Sequence, residues 1–416
     1  MILTSGVYQR TPLDTSEVPQ SDLNIENKLR SNPLAWNGQF SPQLIQVLFN
    51  AYTEPGTTVF DPFLGSGTVL LEAGRAGLTA SGTEINPAAV VLSQTYRLIN
   101  VPRDLRRTHL NAVQRLLRRE FPNNLPLFQN PQEAPRQLGV EGIKSRLAEL
   151  LPAVEERLQY QLLETLVALL DFHKPDLSVE KVFTTWSKLT QLVLELPYSQ
   201  GLIEVYHADA RKTPLPASSV DLVVTSPPYI NVFNYHQQYR ASMEAMNWNL
   251  LKVARSEIGS NRKHRGNRFL TVIQYCLDMA QTFYEITRIC RPSSRLIFVV
   301  GRESAVRGAR IFNGEIVAEI AHRVLGFNLI LRQERVFLNR FGQDIFEDIL
   351  HFSPPSSRSS GDFLTGARGI AEDVLEATYL IAPDGAKDDV KSALQAIEAV
   401  KPSPIFSLPK LLRIQS

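Results

Sequence analysis

Apolar residues recur along this chain with two periods, and the switch between them marks its parts. In "SPQLIQVLFNAY" Leu44, Val47, Leu48 and Tyr52 share one helical face, with Ser41-Pro42 as a cap and proline in the first turn. A short apolar run, "TTVFDPF", then reads as a strand. The glycine turn "LGSGT", the helix "VLLEAGRAG" and a second strand, "TASGTEI", follow. Such a strand–helix–strand unit implies parallel strands joined by a right-handed crossover.

From about 100 to 200 the period becomes helical throughout. "NAVQRLLRREF", "SRLAELLPAVEERLQYQLLETLVALLDF" and "VEKVFTTWSKLTQLVLEL" carry apolar residues three and four apart, with breaks at Pro122, Pro126, Pro131 and Pro135. Strand texture returns in "GLIEVYHADA", "VDLVVTSPPY" and "RLIFVVGRE", beside a helix in "LTVIQYCLDMAQTFYEITRIC". "GFNLILRQERVFL" and "EDILHFSP" read as a terminal antiparallel pair. The pattern predicts an α/β fold, a mostly parallel sheet with a terminal antiparallel strand, interrupted by a helical insertion. The expected divisions are an N-terminal arm over 1–35, a catalytic domain over 36–100 and 201–355, an insertion over 101–200 and a C-terminal extension over 356–416.

Composition narrows the function classes. The 416 residues are 44% hydrophobic and 21% charged, with a net charge of +2, so any affinity for polyanions must come from local clusters. Only two cysteines occur, Cys276 and Cys290, outside any Cys-x-x-Cys pattern, which argues against a zinc site or disulfide framework and for a reducing cytoplasm. The N-terminus lacks the pattern of a signal peptide, and no apolar run approaches the roughly 20 residues that span a bilayer. No membrane association is expected.

The turn in "VFDPFLGSGT" sets Gly65 and Gly67 between strand and helix, where a ligand can lie against bare backbone at a helix N-terminus. Position 70 is Leu, so the dinucleotide fingerprint G-x-G-x-x-G fails, and no Walker lysine follows. Asp61, just before the turn, would repel a pyrophosphate and attract a cation. Glu84, closing the second strand, can accept hydrogen bonds from ribose hydroxyls. Together these features fit an adenosine carrying a cationic amino-acid tail.

"VVTSPPYINVFNY" ends a run of β-branched residues on two prolines. Strand ends of a doubly wound sheet are where ligands bind. Proline fixes φ and has no N–H, so Ser226-Pro227-Pro228-Tyr229 forms a rigid turn with free acceptors. The Ser226 side chain and the Pro227 carbonyl suit one donor, an amino group held for attack, while Tyr229 offers a face for a planar ring. An exocyclic amino group is a poor nucleophile because its lone pair is delocalised; accepting its protons redirects that lone pair. Carbon-5 methylation of cytosine would need a cysteine thiolate, and neither cysteine is placed for it.

At these residues the chain resembles the S-adenosylmethionine-dependent amino-methyltransferases of DNA, and Thr-Ser-Pro-Pro-Tyr resembles their N4-cytosine branch. The resemblance implies a Rossmann-like methyltransferase sheet with S-adenosylmethionine as cofactor, and it covers about half the chain. "DPFLGSGT" matches the cofactor motif through Phe63, Gly65 and Gly67, with Ser66 and Thr68 in the same turn. By the same resemblance Glu84 binds the ribose, Asp209 in "HADA" contacts the adenine amino group, and Phe40 and Ser41 in "WNGQFSPQLI" hold the methionine end. The helical insertion departs from the family's spacing and leaves the target-recognition surface open.

Two basic clusters stand out against the near-neutral total. "RDLRRTHLNAVQRLLRR" is one. "KVARSEIGSNRKHRGNR", with Arg255, Arg262, Lys263, Arg265 and Arg268, is the better candidate for tracking phosphates because it follows the Ser226 turn. The expected partner is double-stranded DNA with the target base swung out of the stack. A cognate restriction endonuclease is a candidate partner that the sequence does not itself reveal. N6-adenine methylation of DNA, amino-methylation of tRNA or rRNA, and a non-catalytic nucleic-acid binder are the competing readings.

Overall fold

The computed structural model describes residues 6–122, 138–230, 234–260, 264–339, 341–356 and 361–408. Seven strands form the main sheet: β1 (Thr58–Asp61), β2 (Thr79–Glu84), β3 (Ile203–His207), β4 (Val220–Thr225), β5 (Cys290–Gly301), β6 (Asn328–Leu338) and β7 (Asp344–Ser353). Their order is β3-β2-β1-β4-β5-β7-β6. The first five pair in parallel, and β7 lies antiparallel between β5 and β6. The predicted terminal pair is therefore antiparallel within itself, but β6 runs in the direction of the parallel strands and only β7 is reversed.

Period-two alternation fills both faces of this sheet. Val59, Leu222, Val224, Ile297 and Val299 point into one core. Phe60, Val223, Leu296, Phe298 and Val300 point into the other. The first face is covered by α1 (Pro42–Tyr52), α2 (Thr68–Ala76), α3 (Pro87–Gln94) and four helices of the insertion: α4 (Arg103–Glu120), α5 (Val140–Leu150), α6 (Arg157–Leu170) and α7 (Val179–Glu195). The second face is covered by α8 (Leu270–Ile289) with α9 (Phe363–Ile381) and α10 (Asp384–Gln395) of the C-terminal extension.

Residues 6–35, expected as an arm, lie along the sheet's edge. Leu13 bridges to Arg332 of β6, the Asp14 N–H donates to the Arg332 carbonyl at 2.7 Å, and Asn24 Oδ1 accepts from the Val336 N–H at 2.9 Å. Leu23 and Leu34 are buried. The segment thus occupies hydrogen-bonding groups that an edge strand would otherwise expose.

Arg106, counted in the first basic cluster, belongs to the interior. Its guanidinium donates to the carbonyls of Val101, Val193, Leu196 and Pro197 at 2.6–3.1 Å, tying α4 to the end of α7. Residues 401–406 return across the molecule toward the end of β3, as described below. Among the described residues no helix is long and apolar enough to cross a membrane.

Candidate active site

A cleft of about 850 Å³, open to solvent, runs along the carboxyl ends of β1, β2, β3 and β4. The loop before α1 contributes Trp36, Gln39 and Phe40, and the glycine turn contributes Phe63, Gly65, Ser66 and Thr68. Glu84 and Asp209 line it from the next two strand ends, and Ser226 and Pro228 from β4. Ser226 and Glu84, far apart in sequence, share this cleft because β1 pairs with both β2 and β4.

The glycine turn works as two different devices. Gly65 has φ +51° and Gly67 has φ +89°, both in the region that favours glycine. A side chain at Gly67 would come within 2.9 Å of Ser93 Cβ and Tyr96 Cδ2, so that glycine is needed for packing α2 against the end of α3 and the segment after it. Gly67 lies outside the cleft lining, whereas Gly65 is in it. Ser66 Oγ donates to Gln39 Oε1 and Thr68 Oγ1 to Asn32 Oδ1, both at 2.9 Å, which locks the turn to the loop before α1. Ser41 is the N-cap of α1, with its hydroxyl buried and without a hydrogen-bond partner beside Phe40.

Asp61, expected to face a cation, is 1% exposed and lies outside the cleft lining. Its Oδ1 accepts from Thr225 Oγ1 at 2.6 Å and from the Phe63 N–H at 3.0 Å. It ties the end of β1 to the end of β4, and burial pushes its carboxyl up to about 7. Asp61 closes β1 two residues after Val59, so its side chain points the same way, into the interior.

Glu84 accepts from the N–H groups of Ile85 and Asn86 on Oε1, each at 2.8 Å, and from the Gly65 N–H on Oε2 at 2.9 Å. A carboxylate has about four lone-pair sites, so one remains on Oε2 for a ribose hydroxyl. Burial raises its carboxyl to about 7 against the pull of those three donors. Asp209 contrasts with it. Oδ1 accepts from the Arg211 N–H and Nε, and Oδ2 from Arg211 Nη2 and the Phe406 N–H, at 2.7–3.0 Å. All four sites are engaged, so an adenine amino group could bind this carboxylate only by displacing a donor.

The Ser226 turn has an ordered polarity. Tyr229 Oη donates to Glu347 Oε1 at 3.3 Å and lies 3.1 Å from Ser226 Oγ. With the tyrosine proton committed to Glu347, Ser226 donates to Tyr229 and keeps its lone pairs for another donor. Glu347 is held in turn by Arg335 Nη1 at 3.2 Å. Pro227 is buried, and Tyr229 is half-buried with its ring against Gly301, outside the cleft lining. The tyrosine therefore braces Ser226 from behind. Burial holds its hydroxyl well above the ordinary tyrosine range.

Arg255, Arg265 and Arg268 are exposed, while Arg262 and Lys263 lie outside the described residues. A side chain at Gly259 would meet the Tyr229 carbonyl at 2.9 Å, so this loop passes directly against the Ser226 turn. The acid within the basic run, Glu257, is buried in the cleft wall, where its carboxylate accepts from the His236 N–H and pairs with His236 Nδ1 at 2.8 and 2.9 Å. Trp36 and Tyr235 stack at 6.3 Å across the same wall. No local pattern marks Glu257, because its partner His236 is set by the tertiary fold. Both cysteines are buried, and burial pushes the Cys290 thiol up to about 12. Among the described residues no cluster of ligands suits a metal.

A sheet in this order, with a glycine turn after β1 and a carboxylate closing β2, has the Rossmann-like fold of S-adenosylmethionine-dependent methyltransferases. The open site on Glu84 and the cleft itself fit that cofactor, whereas Ser41 lies outside the cleft lining. Residues 9–95 match the family model N6_N4_Mtase, described as DNA methylase. The match begins inside the segment expected as an arm. The Type II methyltransferase M.XycI of Xanthomonas campestris pv. cyanopsidis is 46% identical over 54 residues, 13% of this chain and 18% of its own. The Type II methyltransferase M.MjaII of Methanocaldococcus jannaschii is 30% identical over 59 residues, 14% of this chain and 11% of its own. The chain thus aligns with less than a fifth of either relative's length. Solved structures similar to it include an S-adenosylmethionine-dependent methyltransferase from Methanosarcina mazei, at 12% identity over 74% of this chain and 98% of that one, with a TM-score of 0.34. The rRNA methyltransferase aviRa from Streptomyces viridochromogenes is 14% identical over 86% of this chain and 96% of its own, with a TM-score of 0.29.

Proposed function

We propose that this protein is a DNA methyltransferase that transfers a methyl group from S-adenosylmethionine to the exocyclic N4 of cytosine in a short specific sequence. The observation that carries the reading is the shared cleft: Ser226, with its lone pairs free, opens into the same space as Gly65 and Glu84. When bound, the sulfonium supplies an electrophilic methyl group. Glu84 and the Gly65 turn would position the adenosine. Ser226 would accept a hydrogen bond from the amino group so that its lone pair turns toward the methyl, the proton released on alkylation passing to solvent. Tyr229, pinned by Glu347, keeps Ser226 in that role. The target must leave the duplex to reach the cleft, at a cost of a few kcal/mol. Exposed Arg255, Arg265 and Arg268 beside the turn suit the flanking phosphates.

The Thr-Ser-Pro-Pro-Tyr form favours N4-cytosine over N6-adenine, and product analysis tests it. Unmethylated plasmid DNA incubated with the protein and S-adenosylmethionine should yield N4-methylcytosine on nucleoside digestion. N6-methyladenine alone would move the target, and no methylated base would overturn the activity. Ser226→Ala should lower the turnover number by about 10²–10³-fold, the scale for losing one oriented polar group at a reacting centre, with cofactor binding retained.

A further inference from the structure

We propose that Glu347, held by Arg335, is a positioning residue that sets the direction of the hydroxyl chain behind the reacting centre and so fixes Ser226 as an acceptor. The inference rests on the amino-transfer reading above and brings a pair from the last two strands into the site. It starts from register. β7 lies between β5 and β6, and Glu347 stands opposite Gly301 on one side and Arg335 on the other. Residues directly opposite in an antiparallel pair share a face of the sheet. Gly301, Glu347 and Arg335 thus form one row across three strands. The row has its gap at Gly301, where a side chain would come within 2.8 Å of Tyr229 Cε2. The Tyr229 ring lies over that gap, and its hydroxyl reaches the carboxylate on the next strand.

Each group in the chain has one part to play. Glu347 Oε2 faces Arg335 Nη1 at 3.2 Å, and Oε1 faces Tyr229 Oη at 3.3 Å. Arg335 is 8% exposed, with its guanidinium over the Phe337 ring, 4.5 Å from the centroid. An arginine only donates and an ionised carboxylate only accepts. Tyr229 and Ser226 bring one hydroxyl proton each, and their oxygens are 3.1 Å apart. Two hydroxyls in series can point either way, and an acceptor-only group at one end leaves a single direction. The tyrosine proton goes to Glu347, the serine proton goes to the tyrosine oxygen, and the serine lone pairs face the cleft. With a donor in place of Glu347 the order reverses. Tyr229 would then donate to Ser226, and Ser226 would turn its own proton toward the cleft, where an incoming amino group also presents protons. The reversed turn suits a ring carbonyl and opposes an amino group.

The test is a near-isosteric swap. In Glu347→Gln, Arg335 takes the amide oxygen and leaves the amide nitrogen facing Tyr229, which imposes the reversed order. Turnover on unmethylated plasmid DNA is measured with radiolabelled cofactor for wild type, Glu347→Gln, Tyr229→Phe and the double variant. Each value is divided by the number of cofactor sites counted in calorimetry, so that unfolded protein does not enter it. Glu347→Gln should fall by about 10- to 100-fold, the lower part of the range for one oriented polar group at a reacting centre. Tyr229→Phe removes the partner in both orders and frees the serine hydroxyl to rotate, so it should fall only about 2- to 5-fold. The double variant should climb back to the Tyr229→Phe level. A residue that merely holds the strands together gives no such recovery when a second group is removed. Glu347→Ala, which deletes the acceptor outright, is the second variant and should show the same recovery. Unchanged turnover in Glu347→Gln overturns the inference, as does a double variant no better than Glu347→Gln, and both leave amino-methylation standing. A wild type that labels no DNA overturns the functional reading and the inference together.

Discussion

The ends of β2 and β3 lie side by side, Glu84 opposite His207 in register, and each presents an acid to the cleft within two residues. The two acids serve different masters. Glu84 is held by three backbone N–H groups and keeps a lone-pair site for a ligand. Asp209 is closed by Arg211 and by the Phe406 N–H. Arg211 also donates to Asp278 and to the Ser403 and Pro404 carbonyls, while Asp278 accepts from the Ser403 N–H and Oγ. Phe406 stacks on His207 at 4.9 Å. The end of β2 thus keeps an acceptor open toward the cleft, and the end of β3 is a knot that fastens the C-terminal segment to the sheet. A carboxylate's position in a motif says little until its other donors are counted.

The largest expected effect breaks the knot. Asp209→Ala leaves the fully buried Arg211 with half of its compensating charge, and stripping one partner from a buried pair costs about 3–5 kcal/mol. Chemical denaturation should show that loss, while the folded fraction binds S-adenosylmethionine with near wild-type affinity. A selective loss of affinity without destabilisation would return the adenine contact to Asp209 and erase the contrast. Glu84→Ala should do the reverse. It removes one charge-assisted hydrogen bond to the ribose and should weaken cofactor binding by about 10- to 100-fold in calorimetry. Unchanged affinity would show that the open site on Oε2 is unused.

How far this contrast could be read beforehand depends on where each partner sits in the chain. The strands, the glycine turn and Glu84 were legible because period-two runs and the turn are local, and Glu84 is fixed by N–H groups within two residues and by the turn its own strand pairs beside. Asp209 and Glu347 were not. The donor that closes Asp209 is 197 residues on, and the tyrosine that Glu347 holds is 118 residues back. Gly67 looked like a ligand-side glycine, yet the atoms that require it belong to Ser93 and Tyr96. Arg106 read as surface charge because no pattern reveals carbonyls gathered from two separate segments. The edge-capping role of residues 6–35 escaped notice for a related reason: bonds that run to a sheet edge impose no period on the segment making them.

The smallest effect sharpens the comparison by sign. Burial raises Glu84 from 4.5 to about 7, so its contribution to the stability of the ligand-free protein is fully present below pH 4.5 and is lost as pH rises through about 7. A ribose hydroxyl donating to Glu84 favours the ionised form and has the opposite preference. Cofactor affinity should therefore be nearly level above about pH 7 and fall by up to about tenfold per unit below it. The ligand-induced rise in thermal midpoint should grow from pH 5 to pH 7 to match. Asp61, also raised to about 7, shares the ligand-free trend but faces Thr225. The difference between wild type and Glu84→Gln isolates the ribose contact from Asp61 and from the cofactor's own amine. A slope that persists in Glu84→Gln would place the titrating group elsewhere in the cleft and leave the end of β2 as closed to ligand as the end of β3.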